Sequence, residues 1–503
     1  MNFSLTTDQK SLLPVLGIAT SVTLLYTTYR LLTPSPYKKI PIPGSRYPYV
    51  GHMFSLGSHP GDTIAAWHKD LGPIINIRMG VQDWILIDDP FLAHKVFVTN
   101  GAETSYRPHN VYGHDYHNVG GKGVSFSQPD GHWKVTRAAA LSVLAPKHVA
   151  RYMPTIHREA KDLVARLLES TKTNGSVDPF VDLELYAMNV IVTTAFCKRY
   201  DTVTNADFIK LTKVTEQTNI NCAVENDLSN FLPIVSLYDY FFGKQAYQKQ
   251  FVENERNPFL RRLIEEARQE EGSNIVKSFA EDGFELTNDQ ELGIIADMLV
   301  GGNDTTSVTL CWNIAIMCNH PEIQQKVASE IDTFIERNGR TPTFKERDQV
   351  PYCIAVMKES MRYRTTTTFG LAHTSKNDLC VDGYLIPKNA NIISSMESMH
   401  MNPTVYHQPT VFNPDRYLNS QKTMQASANG KIEDRDHFNF GWGRRICPAI
   451  YLAETEMFMA FIELFSTCFI EPIDNQMPNL QDKLSGGLTV FPKGYQVKFI
   501  KRA

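Results

Sequence analysis

Cys447 lies in the run Phe440-Gly441-Trp442-Gly443-Arg444-Arg445-Ile446-Cys447-Pro448-Ala449, where a thiol can become a metal-binding thiolate. Pro448 suits the first position of a helix continuing through Tyr451, Leu452 and Glu454, which puts Cys447 at a helix N-terminus. Unpaired N–H groups and the helix dipole there favour an anion and lower a thiol's pKa. Gly441 and Gly443 let the backbone turn tightly beside a flat ligand. Arg444 and Arg445 offer positive charge to carboxylates. The plainer alternative is a buried cysteine after a basic loop. The chain has eight cysteines, the others being Cys197, Cys222, Cys311, Cys318, Cys353, Cys380 and Cys468. None forms a C-x-x-C pair, so the usual zinc and redox signatures are absent. Scattered thiols do not resemble a secreted disulfide framework and suit a reduced, cytosol-facing compartment.

Three further constellations have spacings that matter. Gly301-Gly302-Asn303-Asp304-Thr305-Thr306 falls inside a helical pattern, where two glycines cost about 2 kcal/mol relative to alanines. That cost needs a reason: room for a ligand, a local kink, or close helix packing. Glu359 and Arg362, at i and i+3, share a helix face. Alone, such a pair is usually an exposed ion pair of little value. Trp133 and Arg137, at i and i+4, also share a face, as on any amphipathic helix.

The elements that must position these residues are mostly helical from about Pro60 to Arg364, as between Ile156 and Thr171. Strand patterns are short: Ile75–Ile77, Ile85–Ile87, Leu379–Val381 and Asn391–Ile393. The clearest helix opens with the capping box Thr287/Gln290 and stops before Asn319-His320-Pro321. Its roughly 30 residues span about 45 Å. Leu292, Ile295, Ala296 and Leu299 form its apolar stripe, and more than one face is apolar, as a central buried helix requires. Thr365–Thr368, rich in β-branched side chains, suits an entering strand.

At the N-terminus, Ser11–Tyr29 is uncharged and near the ~17–25 residues that cross a bilayer. Arg30, Lys38 and Lys39 follow it, which orients the remaining chain to the cytoplasm. A signal peptide carries its positive charge ahead of the apolar run, where this chain has only Lys10 beside Asp8. The expected organisation is a membrane anchor over 1–32, a proline-rich hinge over 33–48 (Pro34, Pro36, Pro41, Pro43) and one catalytic domain over 49–503. The net charge of −4 gives no reason to expect nucleic acid as a partner.

Phe440, Gly443, Arg445 and Cys447 match the pattern F-x-x-G-x-R-x-C, and the chain resembles the cytochrome P450 superfamily of haem-thiolate monooxygenases, in the style of fungal microsomal members. The resemblance implies a mainly α fold with small β-sheets, a triangular helical prism holding haem b between the long central helix and the cysteine-loop helix. Cys447 becomes the axial iron ligand. Gly301–Thr306 resembles the oxygen-activation motif, with Thr305 hydrogen-bonding dioxygen and Asp304 relaying protons through water. Glu359 and Arg362, joined by Arg416 from Phe412-Asn413-Pro414-Asp415-Arg416, become a structural triad. Trp133, Arg137 and His373 fall beside the haem propionates.

Where the superfamily usually has Gly two residues after the cysteine, this chain has Ala449, expected to crowd the site slightly. Thr365–Thr368 stand where prolines are usual. Substrate contacts are expected from Tyr106–Gly123, Asn219–Phe242, Met298, Gly301, Thr366–Leu371 (with Thr368 and Phe369) and Gly487–Val490 (with Leu488).

The implied activity is hydroxylation of a lipophilic, steroid- or terpenoid-like substrate by O2. No flavin or nicotinamide motif is present, so an outside electron donor is needed; the resemblance implies NADPH-cytochrome P450 reductase, docked near Lys134, Arg444 and Arg445. The expected form is a monomer, single-pass in the endoplasmic reticulum membrane. Two other readings are a haem-thiolate isomerase or dehydratase, against which the Asp304-Thr305 pair argues, and a non-catalytic haem-binding protein.

Overall fold

The computed structural model describes residues 40–223 and 226–502, together with Ser21, Val22, Leu24, Leu25, Tyr26, Thr28 and Tyr29. Most of the expected anchor and the hinge up to residue 39 lie outside the described residues. Among the described residues, no helix is long and apolar enough to cross a membrane. The end of the proline segment is not a free linker. The Pro41 carbonyl accepts from Asn76 N–H (2.8 Å), Pro43 O lies 3.1 Å from His52 Nε2, and Ile40 is buried.

Helices dominate, as the 3.6-residue patterns predict, and the described residues also form four small sheets. Strands β1 (Ile74–Met79), β2 (Gln82–Ile87), β3 (His373–Thr374) and β6 (Asn391–Ser394) form the largest, in the order β1-β2-β6-β3. Within it β2 runs parallel to β6, with Ile85 opposite Ile392, and the other pairs are antiparallel. The pairs β4 (Leu379–Val381) with β5 (Tyr384–Ile386), β7 (Cys468–Pro472) with β10 (Val497–Lys501), and β8 (Lys483–Ser485) with β9 (Val490–Pro492) are two-stranded.

The central helix spans Asn288–Cys318. Thr287 caps it: its hydroxyl accepts from Gln290 N–H, and the Gln290 side chain accepts from Thr287 N–H, the reciprocal box expected. Leu292, Ile295, Ala296 and Leu299 are buried, and so is nearly every residue from Thr306 to Cys318. Burial all round is why the helix carries no amphipathic signal. It packs against Phe180–Phe196 on one side and Ile450–Thr467 on another, within one large apolar core.

Thr365–Thr368 do not form a strand. Their backbone carbonyls bond two different elements, the start of β9 at Val490 and the helix Met396–His400 at Glu397, instead of one strand in register. Thr366 O accepts from Val490 N–H (2.8 Å) and Thr368 O from Glu397 N–H (3.1 Å), while the Thr366 and Thr309 hydroxyls are 2.7 Å apart. β-propensity describes fit to a sheet surface, and here only the single bond from Val490 reaches the run from a strand, so no ladder forms.

Candidate active site

A cavity of about 720 Å³ lies between the central helix and the cysteine loop. Cys447 lines it, as do Phe440, Arg445, Arg137 and His373, together with Met298, Gly301 and Thr305 of the central helix. Thr368, Phe369 and Leu488 complete the set of expected pocket residues found on its wall.

The cysteine loop is built from local backbone bonds. Gly443 has φ +51°, and a Cβ there would lie 2.3 Å from the Phe97 carbonyl oxygen, so only glycine fits. Ile446 N–H returns to Gly443 O (3.1 Å), and Cys447 N–H to Phe440 O (2.9 Å). Pro448 does not open the helix. Pro448 and Ala449 form a turn, Ala449 is the N-cap, and the helix begins at Ile450. The loop's own bonds hold Cys447 short of the helix. Burial pushes its thiol pKa up, opposed by the Ala449 N–H and the Arg137 charge. Ala449 has φ −102°, so its methyl group introduces no backbone strain.

The adjacent glycines Gly301 and Gly302 of the central helix meet different surroundings. A Cβ at Gly301 would meet nothing within 4 Å, and the residue faces the cavity. Gly302 also lines the cavity, but a Cβ there would lie 2.5 Å from Ile191 Cδ1, so it serves helix packing as well. Thr305 Oγ1 donates to Gly301 O (2.5 Å). Asp304 does not reach the cavity wall. It accepts from Thr489 Oγ1 (2.5 Å), and burial pushes its carboxyl up to about 6.

Trp133 and Arg137 lie on the helix Gly131–Val143, capped by the Asp130 side chain. Trp133 donates to Val124 O (3.1 Å), and the Arg445 guanidinium stacks 4.2 Å above its ring. Arg445 is buried and donates to the carbonyls of Ser105, Val124 and Ser127. It therefore cannot belong to an exposed docking face, whereas Lys134 and Arg444 are exposed. Arg137 donates to Ile446 O (2.5 Å). His373, buried under Phe97, points Nδ1 at Thr104 O (2.7 Å). Burial and the Arg107 charge keep its ring neutral.

Arg107 joins this cluster without any local sequence signal. It is buried, lines the cavity and donates to Ser125 O, Leu371 O and Ala372 O. Burial, with Arg137 beside it, pushes its pKa down to about 9; burial and Arg107 push Arg445 down to about 8. Among the described residues, Arg107, Arg137 and Arg445 form no ion pair. Three buried guanidiniums that repel one another are costly unless anions neutralise them. A ligand with two carboxylates and a flat apolar body, seated against Cys447, meets that need. The residues fit a haem.

Asp297 is a second residue outside the motifs. It interrupts the apolar run Ile294–Val300, which is the signal that could have revealed it. Its carboxylate accepts from His117 Nε2 (2.9 Å), Asn118 Nδ2 (3.1 Å), Val124 N–H (2.7 Å) and the Ser125 hydroxyl. Burial alone would raise its pKa, but these donors hold it below the usual carboxylate range. His117 accepts Arg256 at Nδ1 (3.1 Å). The loop over the cavity is thus tied to the central helix and to Arg256.

Behind the cysteine loop, Arg362 grips Glu359 through Nε and Nη2, both at 2.7 Å, and Arg416 Nε reaches Glu359 Oε1 at 3.3 Å. Glu359 and Arg362 are fully buried, not the exposed pair that their spacing alone suggests. Asn439 donates to Met361 O (2.9 Å), joining this helix to the loop. A second buried pair, Lys358–Asp436 (2.8 Å), lies alongside.

A half-buried thiol on a cavity wall, a cationic cradle and a long helix along the same cavity together define a site able to seat a haem by a thiolate. A family model described as Cytochrome P450 matches residues 41–499, and the chain belongs to the cytochrome P450 family. Cytochrome P450 1A1 of Sparus aurata is 25% identical over 445 residues, covering 83% of this chain and 83% of the relative. Cytochrome P450 monooxygenase 79 of Postia placenta is 25% identical over 555 residues, covering 99% and 95%. The 3-hydroxyphenylacetate 6-hydroxylase of Emericella nidulans is 24% identical, covering 97% and 94%. The protein is a monooxygenase with a haem-iron cofactor, using dioxygen, a lipophilic substrate and an outside redox partner.

Proposed function

We propose that this chain hydroxylates a lipophilic, steroid- or terpenoid-like molecule, with haem b held by Cys447 and electrons from NADPH through cytochrome P450 reductase. The observation that supports this reading is one cavity whose lining includes Cys447, Gly301 and Thr305. Its volume of about 720 Å³, shared between cofactor and substrate, is in the ~300–1,000 Å³ range of small-molecule sites. When bound, the haem supplies dioxygen activation and transfer of one oxygen atom.

The chain's own residues do the rest. Arg107, Arg137 and Arg445 neutralise the propionates, with Trp133 beneath them. With Nδ1–H donated to Thr104, neutral His373 offers Nε2 only as an acceptor, so its contact with a carboxylate requires proton uptake. Gly301 leaves room for dioxygen. Thr305 moves its hydroxyl from Gly301 O to the reacting oxygen, and Asp304 passes protons towards it. Met298, Thr368, Phe369 and Leu488 hold the substrate and exclude water. Glu359, Arg362 and Arg416 fix the ground beneath the cysteine loop. Lys134 and Arg444 are the basic groups left to meet an acidic reductase surface.

Residues 1–32 anchor the protein in the endoplasmic reticulum membrane, and 49–503 form one catalytic unit, acting as a monomer on the cytoplasmic side. Exposed Leu24, Leu25, Phe54 and Ile234 support an apolar contact with that membrane.

Two measurements test this reading. A lipophilic library is screened for substrate-induced shifts of the haem band, and hits are assayed for product with reductase and NADPH. No coupled product with any hit removes the proposed substrate class. Cys447→Ser is expected to lose the reduced-CO band near ~450 nm that thiolate ligation produces; an unchanged band refutes Cys447 as the ligand.

A further inference from the structure

Asp304 is held by a residue that no motif contains. Thr489 is almost fully buried (1% exposed) and lies in the turn Gly486-Gly487-Leu488-Thr489 between β8 and β9. The turn is closed by Gly486 N–H to Thr489 O (2.8 Å). Gly487, at φ +89°, brings its backbone so near helix Ala206–Cys222 that a Cβ would lie 2.4 Å from Asn219 O. Beyond the turn, Val490 N–H bonds Thr366 O (2.8 Å), and Val490 O accepts from Trp312 Nε1 (2.8 Å). Backbone contacts on both sides therefore hold the Thr489 backbone in place, and its hydroxyl donates to Asp304 Oδ2 at 2.5 Å.

Thr489 lines the cavity and Asp304 does not. The charged groups facing Asp304 from the packed helices are Glu184, on Phe180–Phe196, and Glu216, on Ala206–Cys222. Both are acids, so neither can hold the carboxylate by charge. The Thr489 hydroxyl is the donor that sets the rotamer of Asp304 and favours its ionised form.

We propose that Thr489 is a positioning residue for proton delivery, its hydroxyl aiming the Asp304 carboxyl from the cavity side. This rests on the reading of Asp304 as the proton-relaying acid. Without the hydroxyl, Asp304 loses the bond that its charged form accepts, and its side chain is free to turn towards Glu184.

The test uses the haem-loaded full chain. The Asp304 carboxyl is titrated by infrared difference spectroscopy in the resting protein, its band assigned by its loss in Asp304→Asn. The pH profile of substrate-free NADPH oxidation with reductase is measured in parallel. Thr489→Val is expected to raise the Asp304 pKa by roughly one unit or more and to move the inflection of the profile upward with it. Thr489→Ser is expected to restore both. An unshifted carboxyl titration, or an unshifted profile, in Thr489→Val overturns the proposal. A wild-type profile in Asp304→Asn overturns the relay reading of Asp304, and the proposal with it.

Discussion

Among single residues, the glycines separate space from strain. Gly443 holds a left-handed φ against the Phe97 carbonyl. Gly443→Ala should destabilise by at least ~1–2 kcal/mol from the backbone conformation alone, with added loss from the clash. Denaturant unfolding reads this directly, and an unchanged midpoint would mean that the cysteine loop has another conformation. Gly301 has open space where a Cβ would go. Gly301→Ala should therefore stabilise the central helix by up to ~1 kcal/mol, while shrinking the room beside Thr305. A gain in stability with weaker binding of bulky ligands is the expected pair of results. Asp304 adds a pH signature. With its carboxyl pushed up to about 6 by burial, wild-type turnover should inflect near that pH, and Asp304→Asn should abolish the inflection.

Among elements, the cysteine loop depends on what lies behind it. Helix Pro351–Tyr363 presents Glu359 and Arg362 to a fully buried junction that also receives Asn413 N–H (2.9 Å) and Arg416. Arg362 further donates to His400 O and Pro409 O. Removing one partner leaves an uncompensated buried charge, so Arg362→Ala should cost about 3–5 kcal/mol. Arg362→Lys should not rescue it, because one ammonium cannot reproduce a bidentate grip and two carbonyl contacts. Haem retention during thermal unfolding measures both. The threonine run carries a related lesson. Its side chains suit a strand, but its backbone carbonyls are divided between the start of β9 and the helix Met396–His400, so no ladder forms.

For the whole molecule, buried acids shape the response to pH. Glu456, on the helix that follows the cysteine loop, is pushed from 4.5 up to about 8 by burial, opposed by the Thr306 hydroxyl. The folded state holds this proton more tightly than the unfolded chain. Its contribution is therefore fully favourable below about 4.5 and declines as pH rises towards about 8. Glu456→Gln should flatten the fall in melting temperature across that window; a slope equal to that of the wild type would show that Glu456 does not titrate there. How the chain reaches this architecture was partly legible beforehand. Motif spacing singled out Cys447, the capping box announced Asn288–Cys318, and Glu359, Arg362 and Arg416 were readable as a set. Those features are local, or are recognisable by pattern alone. The chain alone could not show that a side chain at Gly301 would meet open space while one at Gly302 would meet Ile191, that Arg445 is buried, or that Arg107 joins the cradle. Nor could it place Thr489 on Asp304, 185 residues apart. Those outcomes depend on which distant segments share a wall, and only tertiary packing brings such segments together.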